Sequence, residues 1–178
     1  MHKIQEIDAY ILELIYNYCH NEILDKFMIF ITTLGNMGAI WIITGILCLL
    51  FKISRKIGIE ILISLIIGTL LGNLTIKPLV GRLRPFYIVH DIKLLIPEPY
   101  GYSFPSGHAL SSFAASTVIF LNNKKLGLIA LILAIMIAFS RLYLYVHYLS
   151  DVLVGALLGV MVGIFSKYIL EKSHKLKV

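Results

Sequence analysis

Three polar segments stand out in a chain that is otherwise strongly apolar. They are KPLVGRLRP from Lys77 to Pro85, PSGH from Pro105 to His108, and SRLYLYVHYLSD from Ser140 to Asp151. Together they supply fixed cations, imidazoles and a carboxylate, namely Lys77, Arg84, Arg141, His108, His147 and Asp151. Cleavage of a phosphate ester needs such groups, because charge on the non-bridging oxygens must be neutralised while a nucleophile and a leaving group are aligned. The segments therefore predict a phosphoryl-transfer site.

Lys77, Arg84 and Arg141 form the predicted phosphate clamp. Arginine presents a rigid fork of N–H donors that matches phosphate, so two arginines and a lysine suit it better than three lysines would. Arg141 adds weight, since a cation inside an apolar run is costly and usually functional. Ser106 and Gly107 begin a helix, and free backbone N–H groups at a helix start point at a bound anion. We expect Ser106 and Gly107 to complete the phosphate site.

The two histidines are assigned opposite roles. His147 and Asp151 are four residues apart, and helical geometry would let the carboxylate hold one imidazole nitrogen while the other points at phosphorus. His147 is therefore the predicted nucleophile. His108 stands beside the anion site, where bound phosphate favours its protonated form, so His108 is the predicted proton donor to the leaving group. Each of these residues alone could be an ordinary interfacial or capping residue, but that explanation fails for the whole set.

In order and internal spacing, the motifs resemble the three-part signature of the type 2 phosphatidic acid phosphatase superfamily. The matching pattern is Lys77-x6-Arg84-Pro85, Pro105-Ser106-Gly107-His108 and Ser140-Arg141-x5-His147-x3-Asp151. The resemblance implies a metal-independent phosphatase that acts through a phosphohistidine on His147, with His108 as acid and the site at the outer membrane face. Small bacterial members often act on undecaprenyl diphosphate, so its conversion to undecaprenyl phosphate is the first expectation for this chain.

Alternatives stay open on sequence alone. Phosphatidylglycerol phosphate and phosphatidic acid are the other candidate substrates, and nothing in the loop 86–102 chooses among head groups. A non-enzymatic lipid-binding or lipid-moving relative would be expected to lose a catalytic histidine, and both are present. Vanadate-dependent haloperoxidases resemble the site, but they are soluble. No metal and no cofactor are expected, since no acidic cluster stands near the motifs to hold magnesium. The expected partners are the lipid phosphate substrate and membrane lipids, with no nucleic acid.

Composition and hydropathy place these motifs in a membrane. Of 178 residues, 58% are hydrophobic and 15% are charged, against roughly 25% charged in soluble domains. Apolar runs near 22–34, 39–51, 57–76, 107–121, 126–144 and 150–170 use up most of the chain, and about 20 apolar residues suffice for a span. The predicted fold class is all-α, a six-helix transmembrane bundle in one domain over residues 1–178, with the catalytic motifs at 77–151.

The first 20 residues differ from the later runs. Ile4, Ile7, Ile11, Ile15 and Tyr18 recur at helical spacing, which predicts an amphipathic helix over residues 1–20 that lies in the membrane interface. Acidic residues interrupt this segment, so no cleavable leader is expected. Glycines recur every four residues in two series, one at 68 and 72 and the other at 155, 159 and 163. This spacing is typical of closely packed membrane helices.

Lysine and arginine predict the orientation in the cell membrane. Nine cations lie at alternate connections and near the C-terminus: Lys52, Arg55, Lys56, Lys124, Lys125, Lys167, Lys172, Lys175 and Lys177. The positive-inside rule assigns them to the cytoplasm. The expected arrangement is a multi-pass protein with its site on the extracytoplasmic face and both termini in the cytoplasm.

Overall fold

The structure is a computed structural model that describes residues 2–89 and 92–175. Its helices are α1 His2–Cys19, α2 Glu22–Gly35, α3 Ala39–Leu50, α4 Arg55–Gly68, α5 Lys77–Val80, α6 Pro85–Ile88, α7 Gly107–Asn122, α8 Lys124–Tyr143 and α9 Leu149–Lys175. A 3₁₀ turn, Asn36–Gly38, joins α2 to α3, and a π-helical stretch, Thr69–Ile76, joins α4 to α5. The described residues contain no strand, and the all-α prediction is confirmed. Lys177 and the side chain of Lys175, both used in the charge argument, lie outside the described part.

Four helical stretches of the described chain are long and apolar enough to cross a membrane: Glu22–Leu50, Arg55–Ile88, Lys124–Tyr143 and Leu149–Lys172. Helix α7 has 16 residues and falls short of that length, but it lies at the centre of the bundle against α4, α8 and α9. A multi-pass membrane protein is therefore confirmed. The count of six spans is not, because α2 and α3 together make up the first stretch.

Helices α2 and α3 run in the same direction through the bundle. At the start of α2, Asp25 accepts a hydrogen bond from Tyr143 at the end of α8. Farther along, Trp41 of α3 donates to Ser112 in the second turn of α7, at 2.9 Å. Between them Gly38 takes a left-handed conformation, φ +71°, which glycine adopts without steric penalty. The chain kinks at this point and continues onward.

The N-terminal helix α1 packs across one end of the bundle. Its contact face buries Asp8 and Leu12, while its exposed face carries the apolar side chains of Ile4, Ile7 and Tyr18. Asp8 forms an ion pair with Arg82, so α1 lies at the end that holds the polar motifs. An exposed apolar stripe on a helix at the edge of a membrane bundle is the geometry expected of an interfacial helix.

The C-terminal part of α9 lies at the other end. There Lys167 donates to the backbone carbonyl of Leu121 in the last turn of α7, whereas His108 lies in the first turn of that helix. Helix α1 lies at the end of the bundle where α7 begins, as the Asp8–Arg82 ion pair indicates. The structure therefore places α1 and the described C-terminal part of α9 at opposite ends of the bundle, which differs from the expectation that both termini face the cytoplasm.

Helices α7 and α9 pack backbone to backbone. Gly155, Gly159 and Gly163 face the carbonyl oxygens of Ser106, Leu110 and Ala114, and a Cβ at any of these glycines would overlap that oxygen. The small residues of α9 therefore serve packing, as the sequence predicts. The residue numbers of the glycines on α9 and of the carbonyls on α7 increase in the same order, so the two helices are parallel. This docking places the first turn of α9 beside the first turn of α7, where two of the three motifs meet.

Candidate active site

The three motifs surround one cavity of about 760 Å³. Six of the eight predicted site residues line it, namely Lys77, Arg84, Gly107, His108, Arg141 and His147. The other two, Ser106 and Asp151, are completely buried behind its wall. The start of α5, the segment before α6, the start of α7, the end of α8 and the α8–α9 turn thus converge on a single place.

The Arg84 guanidinium is held by backbone carbonyls. Its Nε donates to Gly101 at 2.9 Å, and its Nη1 donates to Val146 at 2.9 Å. The same Nη1 lies 3.2 Å from Nε2 of His147. Arginine has donors and no acceptor, so Nε2 must carry a lone pair and the proton of a neutral ring sits on Nδ1. Arg84 thereby leaves the unprotonated nitrogen of His147 beside the cavity.

The other side of the His147 ring leads to Asp151 through a serine. Nδ1 lies 3.3 Å from Oγ of Ser103, and that hydroxyl donates to Oδ2 of Asp151 at 2.5 Å. The direct distance from Nδ1 to Oδ2 is 3.6 Å, too long for a hydrogen bond. His147 precedes α9, which begins at Leu149, so the helical spacing that would bring ring and carboxylate into direct contact does not extend to it.

Burial determines the protonation of His147. The side chain is 2% exposed, and this desolvation lowers the pKa of His147 well below its ordinary value, with Arg84, Arg141 and Lys77 lowering it further. Both effects disfavour a further positive charge, on the His147 ring, beside the three cations of the site. The neutral ring, with its lone pair on Nε2, is therefore the form present near neutral pH.

Lys77 and Arg141 approach the cavity from opposite walls. The Lys77 amine donates to the carbonyls of Tyr102 at 3.1 Å and Pro105 at 3.2 Å, which ties α5 to the loop before α7. Arg141 is buried and donates to Thr32 on α2 at 2.5 Å. Its Nε has no hydrogen-bond partner among the described residues. Since a buried donor without a partner is unfavourable, this N–H is ready for an anion in the cavity.

The start of α7 borders the cavity at Gly107 and His108. Oγ of Ser106 caps the helix by accepting from Ala109 N at 3.5 Å, and Ser106 N donates to the carbonyl of Asp151 at 3.0 Å. His108 lies in the first turn, two residues after the cap, with Nε2 at 3.0 Å from Oδ1 of Asn36 in the α2–α3 kink. An amide oxygen accepts hydrogen bonds, so Nε2 of His108 carries a proton there.

Sequence reasoning missed several residues at this site. Ser103 lies between His147 and Asp151, Asn36 holds His108, and Arg82 donates to Oδ1 of Asp151 at 2.6 Å. Ser103 is separated from its two partners by 44 and 48 positions. No local spacing could reveal contacts of that kind. Arg82 did carry a signal, because it is a cation on the face where the positive-inside rule expects few.

Comparisons with known proteins agree with this geometry. The PAP2 superfamily profile matches residues 58–175. An undecaprenyl-diphosphatase of Sulfolobus acidocaldarius is 38% identical over 151 residues, which make up 84% of this chain and 72% of that protein.

Two crystal structures have the same fold. LpxE of Aquifex aeolicus superposes with a TM-score of 0.80 at 28% identity, covering 90% of this chain and 94% of that one. The first transmembrane PAP2-type phosphatidylglycerolphosphate phosphatase of Bacillus subtilis superposes with a TM-score of 0.79 at 25% identity, covering 97% and 88%. By sequence and by fold, the chain belongs to the PAP2 superfamily.

Proposed function

We propose that this protein removes the terminal phosphate of a polyprenyl diphosphate and releases the polyprenyl monophosphate. Undecaprenyl diphosphate is the first candidate substrate. That it is a membrane lipid phosphatase follows from its superfamily; the proposal concerns substrate and mechanism. One observation carries it, which is that the cavity is cationic at one end and apolar at the other. Its apolar wall includes Ile42, Leu62, Leu65, Ile66 and Leu70, between α3 and α4. A phosphate head on a hydrocarbon tail matches both ends.

The comparisons favour a diphosphate over a phosphoglycerol head group. The relative at 38% identity over 151 residues is an undecaprenyl-diphosphatase, whereas a phosphatidylglycerophosphatase of Bacillus subtilis is 33% identical over 135 residues. Phosphatidylglycerol phosphate is accordingly the second candidate. The cationic end accepts either, because both substrates present a terminal phosphate monoester or anhydride with the same non-bridging oxygens.

In the proposed first step, Nε2 of His147 attacks the terminal phosphorus. The new N–P bond forms while the bond from phosphorus to the bridging oxygen breaks. Arg84, Arg141 and Lys77 stabilise charge on the non-bridging oxygens, together with the N–H groups at the start of α7. His108 enters this step protonated on both ring nitrogens, the form that a bound phosphate favours. It gives one proton to the departing bridging oxygen and becomes neutral, so the lipid leaves as its monophosphate.

In the second step, water attacks the phosphohistidine. The now neutral His108 takes one proton from this water, the N–P bond breaks, and inorganic phosphate is released with His147 restored. Asp151 acts through Ser103. Nδ1 of His147 donates to the Ser103 hydroxyl, and that hydroxyl donates to Asp151, so the carboxylate stabilises positive charge on the His147 ring during both steps.

The proposal includes independence from divalent metal. The cavity lining contains three cations and two imidazoles, beside the neutral polar side chains of Thr69, Asn73, Tyr100 and Ser111, and Asp and Glu are not among its described lining residues. Both oxygens of Asp151 accept hydrogen bonds from protein donors. A magnesium ion prefers carboxylate, carbonyl and water oxygens, so this donor set suits an anion and not a hard cation.

The proposed orientation places the site and α1 on the extracytoplasmic face and the C-terminal end of α9 in the cytoplasm. Lys52, Arg55, Lys56, Lys124 and Lys125 lie at the cytoplasmic connections under the positive-inside rule. Helix α1 carries Glu6, Asp8 and Glu13 against Lys3, a balance that suits the outer face.

Phosphate release from the purified protein in detergent tests the function. Undecaprenyl diphosphate, phosphatidylglycerol phosphate and phosphatidic acid should be compared side by side, each with and without EDTA and with vanadate. We expect the highest kcat/KM for the diphosphate, full activity in EDTA, and inhibition by vanadate, which mimics the transferring phosphoryl group. Activity that EDTA abolishes and magnesium restores would contradict the mechanism, and a preference for either glycerolipid would change the substrate.

Labelling of single cysteines in a variant without Cys19 and Cys48 tests the orientation. A cysteine at Lys93 should react with a membrane-impermeant thiol reagent in intact cells, and one at Lys124 should react only after the cells are opened. Both lysines are exposed in the structure. The reverse pattern would place the site in the cytoplasm.

A further inference from the structure

A buried polar network joins the catalytic carboxylate to the N-terminal helix. Its centre is Arg82, which lies between α5 and α6. Nη1 of Arg82 donates to Oδ1 of Asp151 at 2.6 Å and to Oγ of Ser150 at 2.7 Å. Nη2 donates to Oδ2 of Asp8 on α1 at 2.7 Å. The guanidinium also lies over the ring of Tyr148, 3.9 Å from its centroid, so both of its Nη groups and one of its faces are in contact with the protein.

Asp8 is unlike the other acidic residues of α1. Its side chain is 2% exposed and accepts three hydrogen bonds, whereas Glu6 and Glu13 are exposed. The donors are Arg82, the backbone N of Ser150 at 2.9 Å and the hydroxyl of Ser150 at 2.5 Å. Burying a carboxylate is unfavourable unless it is paired and fully hydrogen-bonded, and this network meets that condition.

The charges in the network do not cancel. Asp8 and Asp151 together carry two negative charges, and Arg82, the cation bonded to both, carries one. If Arg82 faced Asp151 alone, the guanidinium would neutralise it and weaken its effect on His147. Because Asp8 also pairs with the guanidinium, through Nη2, Arg82 does not fully neutralise Asp151. Asp151 therefore keeps net negative charge directed toward Ser103 and the His147 ring.

We propose that Asp8 is a positioning residue for phosphoryl transfer. It orients Arg82 and Ser150, and through them fixes the geometry and charge of Asp151, which acts on His147 through Ser103. The inference rests on the proposed function, since it assigns a role within the same reaction. Asp8 is not among the residues that line the cavity, so its effect should appear in the chemical step and not in substrate binding.

The test compares steady-state kinetics of the full chain in detergent for Asp8→Asn and the matched control Glu6→Gln, an exposed carboxylate on the same helix. We expect Asp8→Asn to lower kcat by about 10- to 100-fold, since a small misplacement of catalytic groups has effects of that order. KM should stay within about twofold, because binding contacts are not removed. Glu6→Gln should match the wild type in both.

A double-mutant cycle distinguishes a role of Asp8 in positioning Asp151 from a role that is limited to stabilising the fold. If Asp8 acts through Arg82, the double variant Asp8→Asn, Arg82→Gln should have the kcat of Arg82→Gln alone, because coupled residues are non-additive. If Asp8 only stabilised the fold, its substitution would instead lower the melting temperature and leave kcat per folded molecule unchanged. Additive effects of the two substitutions, or a kcat for folded Asp8→Asn within twofold of wild type, would overturn the proposal.

Ser150→Ala keeps the test decisive if Asp8→Asn does not fold. It removes the hydroxyl that bonds both Asp8 and Arg82 and leaves every charge in place. We expect a smaller loss of kcat than for Asp8→Asn, still with unchanged KM, and a wild-type kcat would count against the proposal. A wild-type protein without phosphatase activity on any substrate would remove the proposed function and this inference together. An active wild type with unaffected Asp8 and Ser150 variants would remove this inference alone.

Discussion

Asp151 and Glu60 are both buried without exposed surface, at opposite ends of the bundle, and they are held differently. Asp151 accepts from Arg82 at 2.6 Å, Ser103 at 2.5 Å and the backbone N of Tyr148 at 2.9 Å. Both of its oxygens are occupied. Its position and charge are fixed before any substrate arrives, as preorganised catalysis requires.

Glu60 has far fewer contacts. Its Oε2 accepts from Asn122 of α7 at 2.6 Å, and its Oε1 lies 3.8 Å from the Lys56 amine. Oε1 has no hydrogen bond among the described residues. This carboxylate ties α4 to α7 near the α7–α8 connection and is not among the residues that line the cavity. The comparison teaches that burial of an acid does not mark a site; the number and direction of its donors do.

The largest effect should come from His147→Ala. Without the nucleophile no phosphoenzyme can form, so turnover should fall by about 10⁴-fold or more on lipid and on p-nitrophenyl phosphate alike. Phosphate release with both substrates measures it, and trapping of labelled phosphoenzyme checks the intermediate. A variant that kept its activity on the activated ester would break the assignment of His147.

Asp151→Asn should have the next largest effect. The amide keeps the shape of the side chain but loses the charge, and its NH₂ group cannot accept from Arg82 or Ser103. We expect kcat on the activated ester to fall by about 10³- to 10⁴-fold, since the same change at a carboxylate that orients a catalytic histidine lowers kcat by about 10⁴. Activity close to that of the wild type would mean that Ser103 alone orients the ring.

His108→Ala should have an effect that depends on the leaving group. On a lipid substrate the loss of the proton donor should lower the rate by about 10² to 10⁴. On p-nitrophenyl phosphate, whose phenolate leaves with little help, most activity should return. The ratio of the two losses is the measurement. Equal losses on both substrates would exclude His108 as the acid.

The acid limb of the pH profile should lie below the ordinary titration range of histidine. Burial, then Arg84, Arg141 and Lys77, lower the pKa of His147 well below 6.5, and the neutral ring is the form proposed to act as the nucleophile. Activity should therefore persist as pH falls through 6.5 and be lost only as pH passes the lowered value. The profile of kcat/KM against pH checks this, and an acid limb above 6.5 would contradict it.

The smallest effect should come from Glu60→Gln, the counterpart of Asp151→Asn at the other end. Glutamine can still accept from Asn122 and removes a buried charge that is poorly compensated. We expect kcat within about twofold of wild type and a change in the free energy of unfolding of about 1 kcal/mol or less, of either sign. A large loss of activity would show that the two ends are coupled.

The sequence predicted the site better than it predicted the path of the chain. Lys77, Arg84, His108, Arg141 and His147 were predicted because each motif keeps its internal spacing, and they line one cavity. Ser103, Asp8 and Asn36 could not be found in this way, because their partners are distant in sequence and a small polar residue in a loop carries no periodic signal.

The spans show where hydropathy alone is insufficient. The break Gly35-Asn36-Met37-Gly38 between two apolar runs is typical of a turn between two spans. In the structure Met37 and Gly38 take left-handed conformations, and α3 continues in the direction of α2. A kink and a reversal have the same composition, so only the contacts of the flanking helices distinguish them.

The glycine series on α9 also has a consequence for how a unique structure is specified. Because small residues recur every four positions, α9 could slide along α7 by four residues, about 6 Å at 1.5 Å per residue, and still present glycine to two of the three carbonyls. Backbone packing alone is thus degenerate in register. Hydrogen bonds from Ser106 and Ser103 to Asp151 exist in one register and are lost in the shifted one. The groups proposed to do the chemistry therefore also select the alignment of the two helices, so selection for activity would maintain the correct fold as well.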